Sequence, residues 1–187
     1  MATMNAAEVG AGSAKVTGAI WVAPKGTALP TDATTALAGT YKLLGFTSDA
    51  GVTISENDNS QDLIAWEGRT KVYNVKTEYY ETVAFTPIQT NEDVLKLAYG
   101  SSNVTVNAGK FTVKHTADTL DPIVIVIETS PRTGIVKRYC GTFQLTGRGD
   151  ITLDGTTFDM RQLTFSSIPD SNGVHMFEYA SVTGVTS

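Results

Sequence analysis

The side chains that could act as nucleophile and base in catalysis are few and lie far apart in the sequence. The chain of 187 residues has one cysteine, Cys140, and two histidines, His115 and His175. Nucleophilic catalysis requires a base within hydrogen-bond reach of the nucleophile and a third group that orients the base. Neither histidine lies in a known catalytic motif, and we expect both to be ordinary strand side chains. Cys140 falls on the strand face opposite Tyr139 and Phe143, which favours a packed thiol over a reactive thiolate.

The carboxylates also fail to form a recognisable site. Glu78 and Glu81 are three positions apart in a predicted strand, so they point to opposite faces and cannot flank one substrate. Asp58, Asn59 and Asp62 suggest part of a calcium loop, but the glycine and terminal glutamate of an EF-hand are missing at the required spacing. No pair of histidine or cysteine has the spacing of metal ligands. The sequence therefore predicts a protein that is not an enzyme and has no metal or cofactor.

The composition indicates a folded protein that does not grip nucleic acid. Hydrophobic residues make up 41% of the chain, and the formal net charge is −5, so a core can form but clustered cations for phosphate binding are lacking. Residues 1–14 lack the basic start and apolar run of a signal peptide. No stretch approaches the roughly 18 apolar residues of a membrane span. We therefore expect a soluble protein that is not secreted and has no membrane partner.

Short alternating segments separated by turn residues predict a mainly β fold of the sandwich or barrel kind. We expect one domain over residues 15–181, a flexible arm over 1–14 and a tail over 182–187. One short helix is predicted over 90–99, with Thr90 as its N-cap and Gly100 at its end. The predicted strands cover residues 16–22, 41–47, 52–55, 71–85, 104–106, 110–115, 123–128, 135–146, 151–165 and 174–180.

The predicted strand over residues 71–85 has two faces of different character. Strict alternation is typical of a sheet that is buried on one side. The apolar face would carry Tyr73, Val75, Tyr79, Val83 and Phe85. The polar face would carry Asn74, Lys76, Glu78 and Thr82.

Two segments carry charge of a single sign. The charged residues of 48–67 are all acidic, and we expect residues 48–68 to form a long hairpin or extended loop with its turn at 56–61. The charged residues of the segment 132–148 are all basic. Copies that associate head to tail need two complementary patches, so these segments are candidates for contacts between subunits. A scatter of solvated charges is the equal alternative. The candidates are Asp49, Glu56, Asp58, Asp62, Trp66 and Glu67 on one side and Arg132, Lys137, Arg138 and Arg148 on the other.

The order and spacing of several segments resemble the major tail proteins of siphophages, which are tail tube proteins. The first half carries GFTSDAGVTIS at 45–55 and IAWEG at 64–68, followed by ETVAFTPI at 81–88 and NEDVLKLAYG at 91–100. The second half carries GDI at 149–151, LTF at 163–165 and PDSNG at 169–173. Together these segments span roughly residues 40–180.

The resemblance implies a β-sandwich-like tail tube fold with a flanking helix and a structural role in the virion. Six copies would form a ring whose inner strands join into a continuous barrel, and rings would stack into a tube that conducts DNA into the host. The implied partners are other copies, the tape measure protein, the tail terminator and the distal tail or baseplate proteins. The protein would be made in the host cytoplasm, and DNA would pass without specific binding.

Mapped onto this chain, the resemblance assigns contacts between rings to residues 48–68 and to the terminal arms. The lumen would be lined by Asn74, Lys76, Glu78 and Thr82. Lys76 departs from a simple acidic lumen, so it either pairs with a neighbouring carboxylate or its face points elsewhere.

Other functions of a β domain remain open at this stage. An adhesin or carbohydrate-binding module would need an exposed aromatic platform, for which Trp21 and Trp66 are the candidates. Both lie in apolar strand contexts, where packing is the favoured interpretation. A capsid decoration protein or another virion structural protein would share the same fold class.

Overall fold

A computed structural model describes residues 12–15, 18–131, 135–151, 153 and 161–182. In these ranges the chain is mainly β with one α-helix, which confirms the predicted fold class. The strands are β1 Gly12–Ala14, β2 Ile20–Pro24, β3 Lys42–Leu43, β4 Thr47–Ile64, β5 Lys71–Pro87, β6 Val104–Asn107, β7 Lys110–Val113, β8 Ile123–Pro131, β9 Ile135–Arg148, β10 Leu163–Ile168 and β11 Met176–Val182, and the helix is α1 Glu92–Tyr99.

The main sheet is antiparallel and divides at β9. Its strand order is β3-β2-β8-β9-β10-β5-β4, and β6 and β7 form a separate two-stranded ribbon. One edge of β9 pairs with β8. The other edge pairs with β11 over residues 135–141 and with β10 over residues 142–148. The strand β9 therefore joins two parts of the sheet, one ending in β4 and one ending in β11.

Two apolar clusters lie on opposite faces of β8. Ile125 and Ile127 belong to the first cluster, where Phe85 and Phe165 stack at 5.5 Å and α1 adds Leu97. The second cluster contains Val124, Val126 and Cys140 under the loop that follows β2. A strand buried on both faces needs a continuous apolar run, and residues 123–127 have one. The strand predicted over 123–128 is confirmed, and its residues 124–127 are buried.

The N-cap of the helix lies one residue later than predicted, and the helix begins at Glu92. Asn91, not Thr90, is the N-cap, and its Oδ1 accepts a hydrogen bond from the Val94 backbone N–H at 2.8 Å. Its Nδ2 donates to the Leu44 carbonyl, which fixes the helix to the sheet. Asparagine is as good a cap as threonine or better. The predicted end is confirmed, because Gly100 takes a φ of 90° there.

Several predicted boundaries were wrong. Residues 12–14 were predicted to be flexible, but Gly12–Ala14 pairs with residues 129–131 of β8. Val182 was placed in the tail, but it pairs with Ile135. β2 extends to Pro24, and neither His115 nor His175 lies in a strand. Of the strand predicted over 151–165, residues 163–165 lie in β10, and residues 152 and 154–160 lie outside the described residues. The rest of the predicted arms, residues 1–11 and 183–187, lies outside the described residues. Among those described, no helix is long and apolar enough to span a bilayer.

Candidate assembly surfaces

The strands β4 and β5 form one long hairpin that projects from the fold. The two strands pair from Thr47 with Pro87 to Ile64 with Lys71, and residues 65–70 connect them. None of residues 58–79 is buried, whereas Glu81, Val83 and Phe85 are. The predicted turn at 56–61 was therefore wrong, since those residues lie in the middle of β4. These residues are polar because both faces of the ribbon are exposed. A turn and a strand that is exposed on both faces therefore have the same kind of polar sequence.

A ladder of polar contacts holds the two strands of the projecting part together. The Lys76 ammonium lies 2.9 Å from the Asp58 carboxylate. Asp62 accepts from both Lys71 and Asn74, each at 2.6 Å, and these bonds hold the pKa of its carboxyl below the usual value. An isolated two-stranded ribbon is marginally stable in water. Since none of residues 58–79 is buried against the described chain, we expect the extended form of this ribbon to depend on these cross-strand pairs.

A bulge in β5 interrupts the alternation of the hairpin. Asn59 lies opposite Glu78, but Ser60 lies opposite Lys76, so Thr77 is an extra residue. The Thr77 hydroxyl donates to the Asn59 carbonyl at 3.0 Å. An extra residue shifts every later side chain of its strand to the other face relative to its partner.

The bulge overturns the predicted faces of β5. Asn74 and Lys76 lie on the same face as Tyr79, because the Lys76 ammonium is 4.6 Å from the centre of the Tyr79 ring and pairs with Asp58 opposite it. Tyr73 and Val75 consequently lie on the face of Glu78 and Thr82. The four residues expected to share one polar face are thus divided two and two. The expected alternative for Lys76, a carboxylate neighbour, is present in Asp58.

The far end of the hairpin exposes a set of apolar side chains. Trp66 is 93% exposed, so the expectation that it packs in a strand was wrong. Trp21, in contrast, packs against the second cluster. Leu63 and Tyr73 lie opposite each other in the register, and large exposed apolar side chains that lie together mark interaction sites. We call this set the apolar tip, and its members are Leu63, Ile64, Trp66, Val72 and Tyr73.

The predicted basic segment is not an exposed patch in the part that the structure describes. Arg138 is 2% exposed and bonds to Glu128, and it is therefore withdrawn from the candidate contacts. Lys137 pairs with Glu178 at 2.6 Å. Arg148 donates to the Ala98 carbonyl at the end of α1 and lies over the Tyr99 ring. Arg132 lies outside the described residues. Charge sequence alone cannot distinguish such internal partners from a free surface.

The acidic candidates differ from the basic ones in their exposure and ion pairing. Asp49, Glu56 and Glu67 are exposed. Across the described residues, none of the three takes part in an ion pair. They remain available to a partner.

A buried ion pair ties three segments of the chain together. Arg138 donates through Nε to Glu128 at 3.0 Å, and its other nitrogens donate to the carbonyls of Asp32 and Thr35. Lys15, beside β1, donates to the same Glu128 at 2.8 Å. Burial raises the pKa of Glu128, but the bonds from Lys15 and Arg138 outweigh it and leave the pKa below its ordinary value. No sequence motif marks this cluster.

The side chains that suggested chemistry have structural roles. Cys140 is fully buried, and burial raises the pKa of its thiol to about 11, so it is the packed thiol that the sequence predicts. Ser167 Oγ lies 2.8 Å from His175 Nδ1 and also accepts from the Glu81 backbone N–H. This pair does not line either of two large cavities of the fold. Among the described residues, no group of three potential metal ligands is found.

The root of the hairpin has a face rich in hydroxyl and amide groups. It lies on the side of β4, β5 and β10 that faces away from the first apolar cluster, as the register of the three strands shows. Its described positions carry no lysine, arginine or histidine. We call it the hydroxyl face, and its members are Thr53, Ser55, Asn57, Tyr80, Thr82, Thr164 and Ser166.

Comparisons with known proteins identify a family and find solved structures that are similar. A family model described as phage tail tube protein matches residues 2–183. A chain in the solved structure titled "Tail of empty GTA particle computed with helical refinement, C6 symmetry" is similar over 89% of this chain and 95% of that chain, with 11% identity and a TM-score of 0.44. No curated protein gives a significant match.

Proposed function

The chain belongs to the phage tail tube protein family, and from this premise we propose that six copies close into a ring and that the rings stack into a conduit for DNA. Membership makes the protein a structural subunit of the virion tail and confirms that it is not an enzyme. The family favours this role over a binding module or a capsid decoration protein. The number six rests on the resemblance to siphophage tail proteins.

The free sheet edges support closure of the ring. Within the described residues, β4 has a partner only in β5, and β11 has a partner only in β9. An exposed edge of 18 residues, as in β4, invites pairing with another chain. We propose that the free edge of β4 in one copy pairs with the free edge of β11 in the next. Such head-to-tail contacts close into a ring when the rotation fits.

The hydroxyl face is the proposed lining of the lumen. It offers hydroxyl and amide groups without a cation, so it gives DNA phosphates no point of attachment. Thr82, a candidate for the lumen from the sequence, lies on this face, and Glu78 lies beside it and adds negative charge. Asn74 and Lys76 leave the set because the bulge turns them to the other side. The tape measure protein would occupy this lumen during assembly, and the terminator and distal tail proteins would close its ends.

Electron microscopy of the assembled protein tests the formation of stacked rings and the assignment of the hydroxyl face to the lumen. We expect tubes of stacked six-membered rings, formed alone or after addition of the tail initiator, with the hydroxyl face lining the channel in a reconstruction. A strictly monomeric protein under both conditions would contradict ring formation. A channel lined by another face would contradict the lumen assignment while leaving the tube intact.

The projecting hairpin is the proposed contact between rings, and its ion pairs give a test. Reversing charge with Asp58→Lys and Asp62→Lys should impair stacking and leave the subunit folded, because these residues lie far from the core. The structure adds a reason, since both aspartates pair with lysines of their own hairpin.

A charge swap shows whether Asp58→Lys impairs stacking by breaking the ion pair within the hairpin or by breaking a contact with a neighbouring subunit. In Asp58→Lys/Lys76→Asp the cross-strand pair is restored with opposite polarity, so we expect tube formation to recover relative to Asp58→Lys alone. Sedimentation of tubes measures the recovery. A swap that stays as defective as the single reversal would mean that Asp58 contacts a neighbouring subunit and does not serve the ladder.

A further inference from the structure

We propose that a groove between β1 and the start of β4 receives the apolar tip of the hairpin from a second copy of this chain. The proposal rests on the stacking of rings proposed above and identifies the surface on which each hairpin docks. Four observations support it: the lining of the groove, the exposure of the tip, the distance between the two on one chain, and the charges beside them.

The groove has the size and lining of an apolar receptor. Its volume is about 560 Å³, and its walls come from β1, the loop before β4, the start of β4 and the end of β8. Ile20, Leu43, Val52 and Ile127 line it with aliphatic side chains. Phe46, also in the lining, is 71% exposed. An exposed aromatic ring beside an apolar recess is typical of a protein interface.

The tip supplies side chains that fit such a recess and that the described part of their own chain leaves exposed. Trp66 leaves nearly its whole indole in water, and Leu63 and Tyr73 face each other across the ribbon with half or more of their surface exposed. Tryptophan and tyrosine are the residues that most often dominate the binding energy of an interface. Burial of these rings against another molecule would remove apolar surface that stays in contact with water when the chain folds alone.

The hairpin holds the tip away from the groove of its own chain. Both features lie on β4, with the groove reaching Ile54 and the tip starting at Leu63 and Ile64. Ten residues of strand span about 33 Å, and the polar ladder keeps this part extended. The tip can therefore reach only the groove of another copy. A contact between two different patches repeats head to tail, which suits a stack of rings.

One pair of charged residues beside the two surfaces has opposite signs. Glu67 follows Trp66 directly and makes no ion pair within the described chain. Lys15 lines the groove, and its side chain is 35% exposed although it pairs with Glu128. A carboxylate that arrives with the tip would share this ammonium, which orients the tip as it enters.

Disulfide trapping between two differently tagged chains tests the docking. One chain carries Thr70→Cys, beside Trp66 at the tip, and the other carries Ser48→Cys in the groove. Cys140 is buried, so the introduced thiols are the reactive ones. We expect mild oxidation of mixed tubes to give a cross-linked dimer of the two tags, at least tenfold above a matched pairing of Thr70→Cys with Asn172→Cys, which lies in an exposed turn outside the groove.

Each outcome decides a different statement. Tubes that form normally but give no cross-link above the control would overturn the groove as the docking site while leaving the stacked tube intact. Failure of the unsubstituted protein to form tubes would overturn the proposed function and this inference with it.

A second variant checks the role of the indole. Trp66→Ser should raise the concentration needed for tube formation at least tenfold with no change in the unfolding midpoint, and Trp66→Phe should recover part of the loss. Unchanged assembly by Trp66→Ser would overturn the proposal.

Discussion

Replacing Arg138 with methionine should destabilise the folded subunit by about 3–5 kcal/mol, the usual cost of removing one partner from a buried ion pair. Glu128 would keep its charge beneath the surface with only Lys15 to compensate it. The carbonyls of Asp32 and Thr35 would also lose their donors, so the loop after β2 would lose two of the bonds that attach it to the sheet. Urea denaturation of the monomer measures the change.

The neighbouring lysine provides a matched control. Lys137→Ala breaks an ion pair with Glu178 that lies in water, and we expect a change of no more than about 1 kcal/mol. A similarly small change for Arg138→Met would contradict the importance of the buried pair. It would mean that the fold relaxes and lets water reach Glu128.

The effect of Arg138→Met should depend on pH in a defined direction. In the folded wild type the pKa of Glu128 is below its ordinary value of 4.5. Its contribution to stability is therefore complete above that value and is lost as the pH falls through the lower folded pKa. In the variant, burial favours the protonated carboxyl. The difference in stability between the two proteins should consequently shrink as the medium becomes more acidic.

Replacing residues 58–79 by the turn Asn-Gly should abolish tube formation and leave a folded monomer. The replaced segment contains no buried residue, and the register places Asn57 opposite Tyr80, so a two-residue turn closes the shortened hairpin. The core pair Phe85 and Phe165 is untouched. Sedimentation and negative-stain images report assembly, and urea denaturation reports the fold.

A milder deletion is the control for the hairpin. Replacing only residues 65–70 by Asn-Gly keeps the polar ladder but removes Trp66. If the tip carries the contact between rings, both deletions should fail to assemble. Normal tubes from the longer deletion would reject the hairpin as the contact between rings, and a folded state lost in either variant would contradict its independence from the core.

The sequence predicts those parts of the fold that local patterns determine. The continuous apolar run of β8, the alternation of β5 near Phe85 and the glycine after α1 each have a direct physical cause, and each is confirmed. The position of the hairpin turn is different, because the polar run at 56–61 satisfies both a turn and a strand exposed on both faces. Only the pairing of these residues with residues 75–81 of β5 shows that they form a strand.

The candidate contacts show the same limit more sharply. Arg138 and Lys137 are adjacent in sequence and alike in charge, yet one lies in the interior and the other in water. Burial of Arg138 depends on a carboxylate in β8 and on carbonyls in a loop more than a hundred positions away. Trp66 shows the opposite case, since its apolar sequence context predicts packing but the described part of the chain leaves it exposed.

The extra residue at Thr77 has a consequence for comparing relatives of this protein. Because it lies between the packed root and the projecting part, its loss in a homologue would leave the core unchanged and turn the outer part of one strand over. In two chains whose alignment differs by a single gap at this point, identical aligned residues would lie on opposite faces of the hairpin. Contact roles beyond Thr77 should therefore be transferred between relatives by strand register, not by aligned position.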